Sequence, residues 1–140
     1  MWTDILAIMF LSNSAALDPA ISAATFISAC KSVVVHITGV SFVDDTGLGV
    51  TSDYEWDDAK SKEDNASDEG KHTVQKIHTL AQHWERLIFA TGGSLNLQKG
   101  FWYLIAWKWS MNGVHLDSST QSPASIKLTS SNNNHQETLP

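Results

Sequence analysis

The strongest constraint on the fold of this chain lies in residues 39–50, whose sequence is GVSFVDDTGLGV. Two apolar, β-favouring runs flank Asp44 and Asp45, and glycines follow closely, which predicts a β-hairpin with both carboxylates at its tip. Two carboxylates about 4 Å apart repel each other by about 4 kcal/mol at an effective dielectric constant of ~20. A divalent cation would relieve that repulsion, whereas a solvated turn is the alternative for an isolated Asp-Asp pair.

The composition is that of an ordinary globular domain. The 140 residues can enclose one modest core, and 42% hydrophobic residues argue against disorder throughout. Cys30 is the single cysteine, so no intramolecular disulfide and no cysteine-based zinc site are expected. The longest apolar run, residues 5–11, is far shorter than the ~18 residues of a membrane span, and residues 1–4 lack the Lys or Arg of a secretory signal. We therefore expect an intracellular protein without a membrane partner or a disulfide partner.

The acidic charge of the chain is concentrated in one segment. Residues 53–70 hold eight of the fifteen Asp and Glu residues but two of the nine Lys and Arg residues. This segment therefore accounts for the whole formal net charge of −6. We expect it to be a solvated, mobile acidic loop. A contact segment for a protein partner is the functional alternative.

Other patterns predict the surrounding helices and strands. Asp18 and Pro19 have the chemistry of a helix start, and apolar residues follow at helical spacing, which predicts a helix near 19–31. The β-branched residues 33–37 predict a strand that leads to the hairpin. The clearest helix is expected near 72–91, because apolar residues recur there at spacings of three and four.

An aromatic segment follows this second helix. In residues 101–109 the odd-numbered aromatic and apolar side chains share one face, which predicts a strand, and Asn112-Gly113 predicts a turn that returns through 114–116. These rings either pack in the core or form an exposed row on which bases or sugars stack. Residues 117–140 are polar and are expected to be mostly disordered, with a short strand at 126–128 as the exception.

Taken in order, these pieces resemble the C-terminal half of the palm domain of retroelement reverse transcriptases. Residues 41–45, SFVDD, look like the aromatic-x-Asp-Asp box of that family, and the helix containing residues 84–87, WERL, is similar to the one that follows the box. Residues 91–99, TGGSLNLQK, resemble the Gly-x-x-Leu-Asn-x-x-Lys run that comes next. Residues 101–109 look like the start of the hairpin near the primer strand. The resemblance covers residues 12–116 and depends on the order of these pieces.

The resemblance implies a fold and an activity. The implied fold is α+β, with residues 1–116 forming part of an antiparallel palm-type sheet, two packing helices and a C-terminal aromatic β-hairpin. The implied activity is that of an RNA-directed DNA polymerase, which holds two Mg²⁺ or Mn²⁺ ions for nucleotidyl transfer. Its partners would be an RNA or DNA template-primer and deoxynucleotides.

The resemblance also implies roles for individual residues. Asp44 and Asp45 are the implied catalytic carboxylates and metal ligands. Lys99 is the implied cation beside the triphosphate, and a surface lysine after a turn is the alternative. The implied nucleic-acid contacts are Phe42, Trp102, Trp107 and Lys108.

The chain departs from the family upstream of the box. The family's first catalytic aspartate lies on an earlier strand, but the acids that precede Asp44 here are Asp4 and Asp18, and Asp18 is better explained as a helix cap. The family's Gln-Gly motif is missing from residues 12–19. We therefore expect a palm truncated at both ends, with weak metal binding and no activity alone. A non-catalytic binding module that uses 101–109 or the acidic segment, and a decayed open reading frame without function, remain as alternatives.

Overall fold

The structure, a computed structural model, describes Ile8 and residues 24–37, 39–42, 45–110, 113–117 and 125–139. At positions 40–42, 45, 107–110 and 117 it describes the backbone without the side chain. Within this part of the chain the fold is mixed α+β, as predicted, with one long helix and small antiparallel sheets. The strands form four separate two-stranded hairpins there, and they do not join into one continuous sheet.

The elements follow one another as successive hairpins interrupted by the helix. Strand β1 (Ala24–Ile27) pairs with β2 (Val34–Ile37), and β3 (Gly39–Phe42) pairs with β4 (Asp45–Leu48). Helix α1 (Lys62–Ala90) and a 3₁₀ turn (Leu97–Lys99) come next. Strand β5 (Ala106–Ser110) then pairs with β6 (Gly113–Asp117), and β7 (Lys127–Thr129) pairs with β8 (Gln136–Thr138).

The hairpin predicted at 39–50 is present. Strands β3 and β4 are antiparallel, and Phe42 lies opposite Asp45 at the end of the ladder. The apolar and β-branched residues of this stretch favour extended pairing. Val43 and Asp44 connect the two strands, and both lie outside the described residues. The predicted position of Asp44 at the tip therefore stays a prediction.

Helix α1 begins well before its predicted start near residue 72. Ser61 Oγ caps the helix by accepting a hydrogen bond from Asp64 N at 3.0 Å, and it donates to the Asp64 carboxylate at 2.8 Å. Acidic residues in the first turn also suit the positive end of the helix dipole. The prediction of a mobile loop over 53–70 is therefore wrong from Lys62 onward. A charge run of this kind usually indicates a solvated loop, but Glu63, Asp64, Asp68 and Glu69 lie in a capped helix.

Hydrogen bonds also hold the acidic segment, residues 53–70, against the start of α1. Asp68 accepts hydrogen bonds from Lys60 at 2.9 Å and Lys71 at 3.1 Å, and these contacts, Lys60 first, hold the pKa of Asp68 below its usual range. Trp56 Nε1 donates to Glu69 at 2.9 Å. Residues before the helix are thereby folded back onto its first turns.

The helix predicted near 19–31 is absent over residues 24–31, which is a correction. Residues 24–27 form β1, which pairs antiparallel with β2 and places Phe26 opposite Val35. Three of the four residues of β1 are β-branched or aromatic, and a partner strand of the same kind outweighs their helical spacing. Residues 19–23 lie outside the described residues.

The hydrophobic core lies between α1 and the C-terminal hairpin. Its buried members are Val74, Leu97, Ile126 and Leu128, and the side chains packed against them are Ile77, Ala81, Leu95, Trp102 and Leu139. Strand β7 confirms the short strand expected at 126–128. The predicted disorder of the tail is wrong for 130–139, because this segment forms a turn and β8 and covers the core.

The aromatic hairpin forms a separate two-stranded sheet, as predicted. Trp107 lies opposite Leu116 in β5 and β6. The strand begins at Ala106, so residues 101–105 precede it without regular secondary structure. This segment connects the core turn at 97–99 to the hairpin.

No helix in the described ranges combines the length and the hydrophobicity that crossing a membrane requires. Cys30 is exposed and is the chain's one cysteine, so the chain holds no second cysteine with which it could pair.

Candidate functional site

The β3–β4 hairpin is called the acidic hairpin below. A buried lysine in the middle of α1 binds the residues that follow this hairpin. Lys76 is 6% exposed, and its Nζ donates to Thr51 O at 2.7 Å and to Asp53 Oδ1 at 3.0 Å. A buried ammonium group is stable when its protons are hydrogen-bonded and its charge is paired. The residues that follow β4 are therefore held against the helix at a defined position.

Asp53 is the charged partner in this contact. The hydrogen bond from Lys76, assisted by the charges of Lys76 and His72, holds the pKa of Asp53 below its ordinary value of 3.8. His72 Nδ1 lies 3.5 Å from the same carboxylate oxygen, and the rings of Tyr54 and His72 are 6.0 Å apart. Asp53 is thus a carboxylate at neutral pH and serves as an anchor for the hairpin.

The same junction holds β1. Thr51 Oγ1 accepts a hydrogen bond from Thr25 N at 3.1 Å, and the buried Ala24 lies where a side chain on Gly49 would touch it. Residues 49–53 therefore join β1, the acidic hairpin and α1. Neither this junction nor Lys76 was predicted from the sequence, because the contacts join residues that are far apart along the chain.

The backbone alone defines the described part of the hairpin tip. Asp45 is the first residue of β4 and the cross-strand partner of Phe42. Asp44, the other implied ligand, lies outside the described residues together with Asp4 and Asp18.

A two-metal site needs several ligating side chains close together. The described residues contain no group of three or more His, Cys, Asp or Glu side chains placed to hold a metal ion. The described side chains alone therefore do not form a two-metal centre, and no catalytic step follows from them.

Lys99 lies on a turn that is fixed to the core. The turn Leu97–Lys99 is closed by hydrogen bonds from Lys99 N to Asn96 O at 3.0 Å and from Gly100 N to Leu97 O at 3.2 Å. Leu97 is buried in the core, whereas Lys99 is exposed. The run 91–99 is thus a rigid connection that presents a cation to solvent.

A shallow polar cleft of about 300 Å³ lies beside this turn. Residues 94–98 form one wall, and Ser130, Asn132, Asn133 and Glu137 form the other. The sequence pattern marked the first wall as part of a motif. The second wall was missed because it belongs to the segment that was predicted to be disordered.

The predicted nucleic-acid contacts are distributed over different environments. Trp102 is partly buried against the core cluster. Trp107 and Lys108 belong to β5, where the backbone alone is described. In contrast, Phe101 is 75% exposed and Tyr103 is 74% exposed. The alternation of residues 101–105 assigns these two rings and Trp102 to opposite faces, but it carries no signal for which face is exposed.

A polar stripe on α1 positions the second wall of the cleft. His78 Nε2 donates to Lys127 O at 2.9 Å, and Gln82 both donates to Thr129 O at 2.9 Å and accepts from Thr129 N at 2.8 Å. Glu85, which is 3% exposed, accepts from Ser131 N and Ser131 Oγ, each at 2.7 Å. These three side chains lie on one face of the helix because their spacings are four and three.

Comparison of the chain with protein-family models, with characterised proteins and with solved structures finds no match. The support for any function therefore comes from the residues and from their geometry.

Proposed function

We propose that this chain derives from the palm of a retroelement reverse transcriptase and binds Mg²⁺ or Mn²⁺ weakly at the tip of the β3–β4 hairpin, without polymerising nucleotides. The observation that carries the proposal is the register of this hairpin. Phe42 lies opposite Asp45, so the stretch that resembles the aromatic-x-Asp-Asp box spans the end of the ladder. A single-residue shift of register would move these residues to the other face.

The elements after the hairpin support the same origin. Helix α1 follows it and is joined to its exit by Lys76. The run 91–99 ends the helix and turns against the core through Leu97. The separate hairpin β5–β6 then follows. This is the order that the resemblance implies, with the helix packed next to the acidic hairpin.

The absence of polymerase activity follows from the carboxylate count. Two-metal phosphoryl transfer needs both ions held in line with the attacking and leaving oxygens. Asp44 and Asp45 supply two carboxylates where the family uses three, and the acids upstream of the box are Asp4 and Asp18. A misplacement of about 1 Å already costs ~10²-fold in rate. Weak metal binding is therefore the property that remains.

The test is calorimetric titration of Mn²⁺ into the full 140-residue chain. We expect a dissociation constant on the order of 10⁻³ M, typical of sites with few ligands. The double variant Asp44→Asn/Asp45→Asn keeps the shape of the tip and should lose this binding. The double variant Glu55→Gln/Asp58→Asn removes two exposed charges from the acidic segment and should keep it.

The reverse pattern would make the acidic segment the metal site and would contradict the proposal. A primer-extension assay with an RNA template, deoxynucleotides and either metal completes the test. We expect no incorporation above background. Incorporation that disappears in Asp44→Asn would show that the chain is an active polymerase.

A second candidate function is the stacking of single-stranded nucleic acid on exposed rings. It is favoured by the high exposure of Phe101 and Tyr103 on a segment that leads to the aromatic hairpin. Stacking of a base on an aromatic ring contributes roughly 1–3 kcal/mol. Phe101→Ala/Tyr103→Ala should therefore weaken binding of a labelled oligoribonucleotide by ~10-fold or more at low salt, whereas Phe89→Ala on α1 should not. Equal affinities for all three proteins would exclude this function.

A further inference from the structure

The β1–β2 hairpin exposes an unusual amount of apolar surface. Six of its residues are between 39% and 61% exposed: Phe26, Ile27, Val33, Val34, Val35 and Ile37. Every residue of β2 is exposed, so both faces of the strand are open. A two-stranded ribbon of this kind is marginally stable alone, and three or more strands are needed for independent stability. This hairpin therefore lacks the cover that the polar hairpin β7–β8 receives from α1.

The outer edge of β2 presents hydrogen-bonding groups. Ser28 N donates to Val33 O at 2.9 Å, so these two residues form a hydrogen-bonded pair of the β1–β2 ladder. Hydrogen-bonded and non-hydrogen-bonded pairs alternate along an antiparallel ladder, so Phe26 and Val35 form the next hydrogen-bonded pair. The N–H and C=O groups of Val34 and His36 consequently point away from β1. No other strand in the described ranges pairs with this edge.

We propose that the β2 edge pairs antiparallel with β2 of a second copy of this chain, about a two-fold axis at Val35. In this register Val34 lies opposite His36 of the second copy, and the two such pairs form four backbone hydrogen bonds. Val35 lies opposite its own counterpart, and Val33 lies opposite Ile37. A two-fold interface requires such self-complementarity, and the product is a four-stranded sheet.

The charge and the small area of this surface fit weak pairing with a second copy. Residues 33–37 contain no Asp, Glu, Lys, Arg or Pro, the residues that usually protect an edge strand from pairing. The acidic segment that carries the net charge lies elsewhere, at 53–70. Edge pairing brings Val33, Val34, Val35 and Ile37 of the two copies side by side and leaves both faces of the four-stranded sheet open. The buried area is therefore below the ~1,000 Å² of a typical specific interface, so we expect a weak dimer.

Sedimentation velocity of the full chain over a range of concentrations tests the pairing. We expect a monomer–dimer equilibrium in the wild type. Val35→Lys places two charges together on the axis and should raise the Kd at least ~10-fold. The matched control is Val114→Lys in β6, where the valine is equally exposed, at 46%. It should leave the Kd unchanged.

A second variant tests the backbone pairing itself. Val34→Pro removes the outward N–H group and leaves the pairing with β1 intact, so it should raise the Kd at least ~10-fold with an unchanged circular dichroism spectrum. If Val35→Lys does not fold, Val34→Pro still tests the pairing of the β2 edges. In the wild type, the amides of Val34 and His36 should gain protection from hydrogen exchange as concentration rises. A wild type that stays monomeric, or two β2 variants that dimerise like the wild type, would overturn the proposal.

Discussion

Two hairpins of similar length, β7–β8 and β1–β2, differ in how far the rest of the molecule covers them. The polar hairpin β7–β8 has its apolar residues in the core and its outer edge covered by α1. The apolar hairpin β1–β2 has exposed side chains on both faces and an outer edge on β2 without a strand partner in the described ranges. Hydrophobic content alone therefore does not decide which hairpin of this chain belongs to the core.

Helix α1 covers the edge of β7 because the distances between its polar side chains are similar to those between the outward backbone groups of the strand. The side chains of His78, Gln82 and Glu85 reach the backbone at positions 127, 129 and 131. The helix rises about 6 Å and then about 4.5 Å between these residues, and the strand advances about 6.6 Å for every two residues. These steps are similar enough for three long side chains to bond three successive outward positions. The helix thus acts as a neighbouring strand would.

The largest expected difference between the two hairpins is in side-chain burial. Ile126 is 1% exposed and Ile27 is 61% exposed. We expect Ile126→Ala to lower the free energy of unfolding by ~2–5 kcal/mol because it leaves a cavity in the core. Ile27→Ala should change it by less than ~1 kcal/mol. Chemical denaturation at a dilution that keeps the chain monomeric measures both, and equal losses would contradict the described core.

This contrast also shows which elements sequence patterns could predict. The hairpin β3–β4 and the second half of α1 follow a single period, and both were predicted. The strand β1 was missed because Asp18-Pro19 and the apolar spacing after it suit a helix start, while its β2 partner lies further along the chain. The start of α1 was missed because its acids were interpreted as solvated charge, although Ser61 and Asp64 form a cap.

The candidate site was predictable only in part. The pattern of residues 39–50 predicted the hairpin, and the register places Asp45 at its end. The anchor formed by Lys76 and Asp53 depends on a contact between residues 23 positions apart, which no local pattern records. The hairpin β7–β8 was missed for the same reason, because its order depends on hydrogen bonds to α1 over more than 45 positions.

A smaller effect is expected from the covered edge of β7. Gln82→Ala leaves the N–H and C=O groups of Thr129 without their side-chain partner, which should lower the free energy of unfolding by ~1–3 kcal/mol. The control is Gln75→Ala on the same helix, where the side chain is exposed and the change should be within ~0.5 kcal/mol. Thermal unfolding of both variants separates these outcomes. Equal values would mean that the edge contact adds nothing to stability.

The smallest effect concerns the pH dependence of the junction between the acidic hairpin and α1. The pKa of Asp53 is lower in the folded chain than its ordinary 3.8, so the folded state binds this proton less readily than the unfolded state does. The stability from the contact is therefore complete above about pH 4 and is lost as pH falls from there through the folded pKa. Because Asp53 is about half exposed, the loss should be ~1 kcal/mol or less.

The variant Asp53→Asn isolates this contribution. It should unfold more easily than the wild type at pH 7, and the difference in free energy should shrink as the pH falls below 4. Denaturation curves between pH 3 and pH 7 measure it. Asp58→Asn removes a nearby exposed charge and serves as the control. A difference that grows toward acid would contradict the anchoring role of Asp53.

The most direct measurement of the central claim is the location of bound Mn²⁺ by nuclear magnetic resonance. Paramagnetic Mn²⁺ broadens the amide signals of residues close to it, so substoichiometric addition identifies the strongest site. A metal site at the acidic hairpin predicts that Phe42 and Thr46 broaden first and that Asp44→Asn/Asp45→Asn abolishes the effect. Broadening that begins at residues 55–58 and persists in that variant would contradict the proposed origin of the hairpin as a metal-binding palm element.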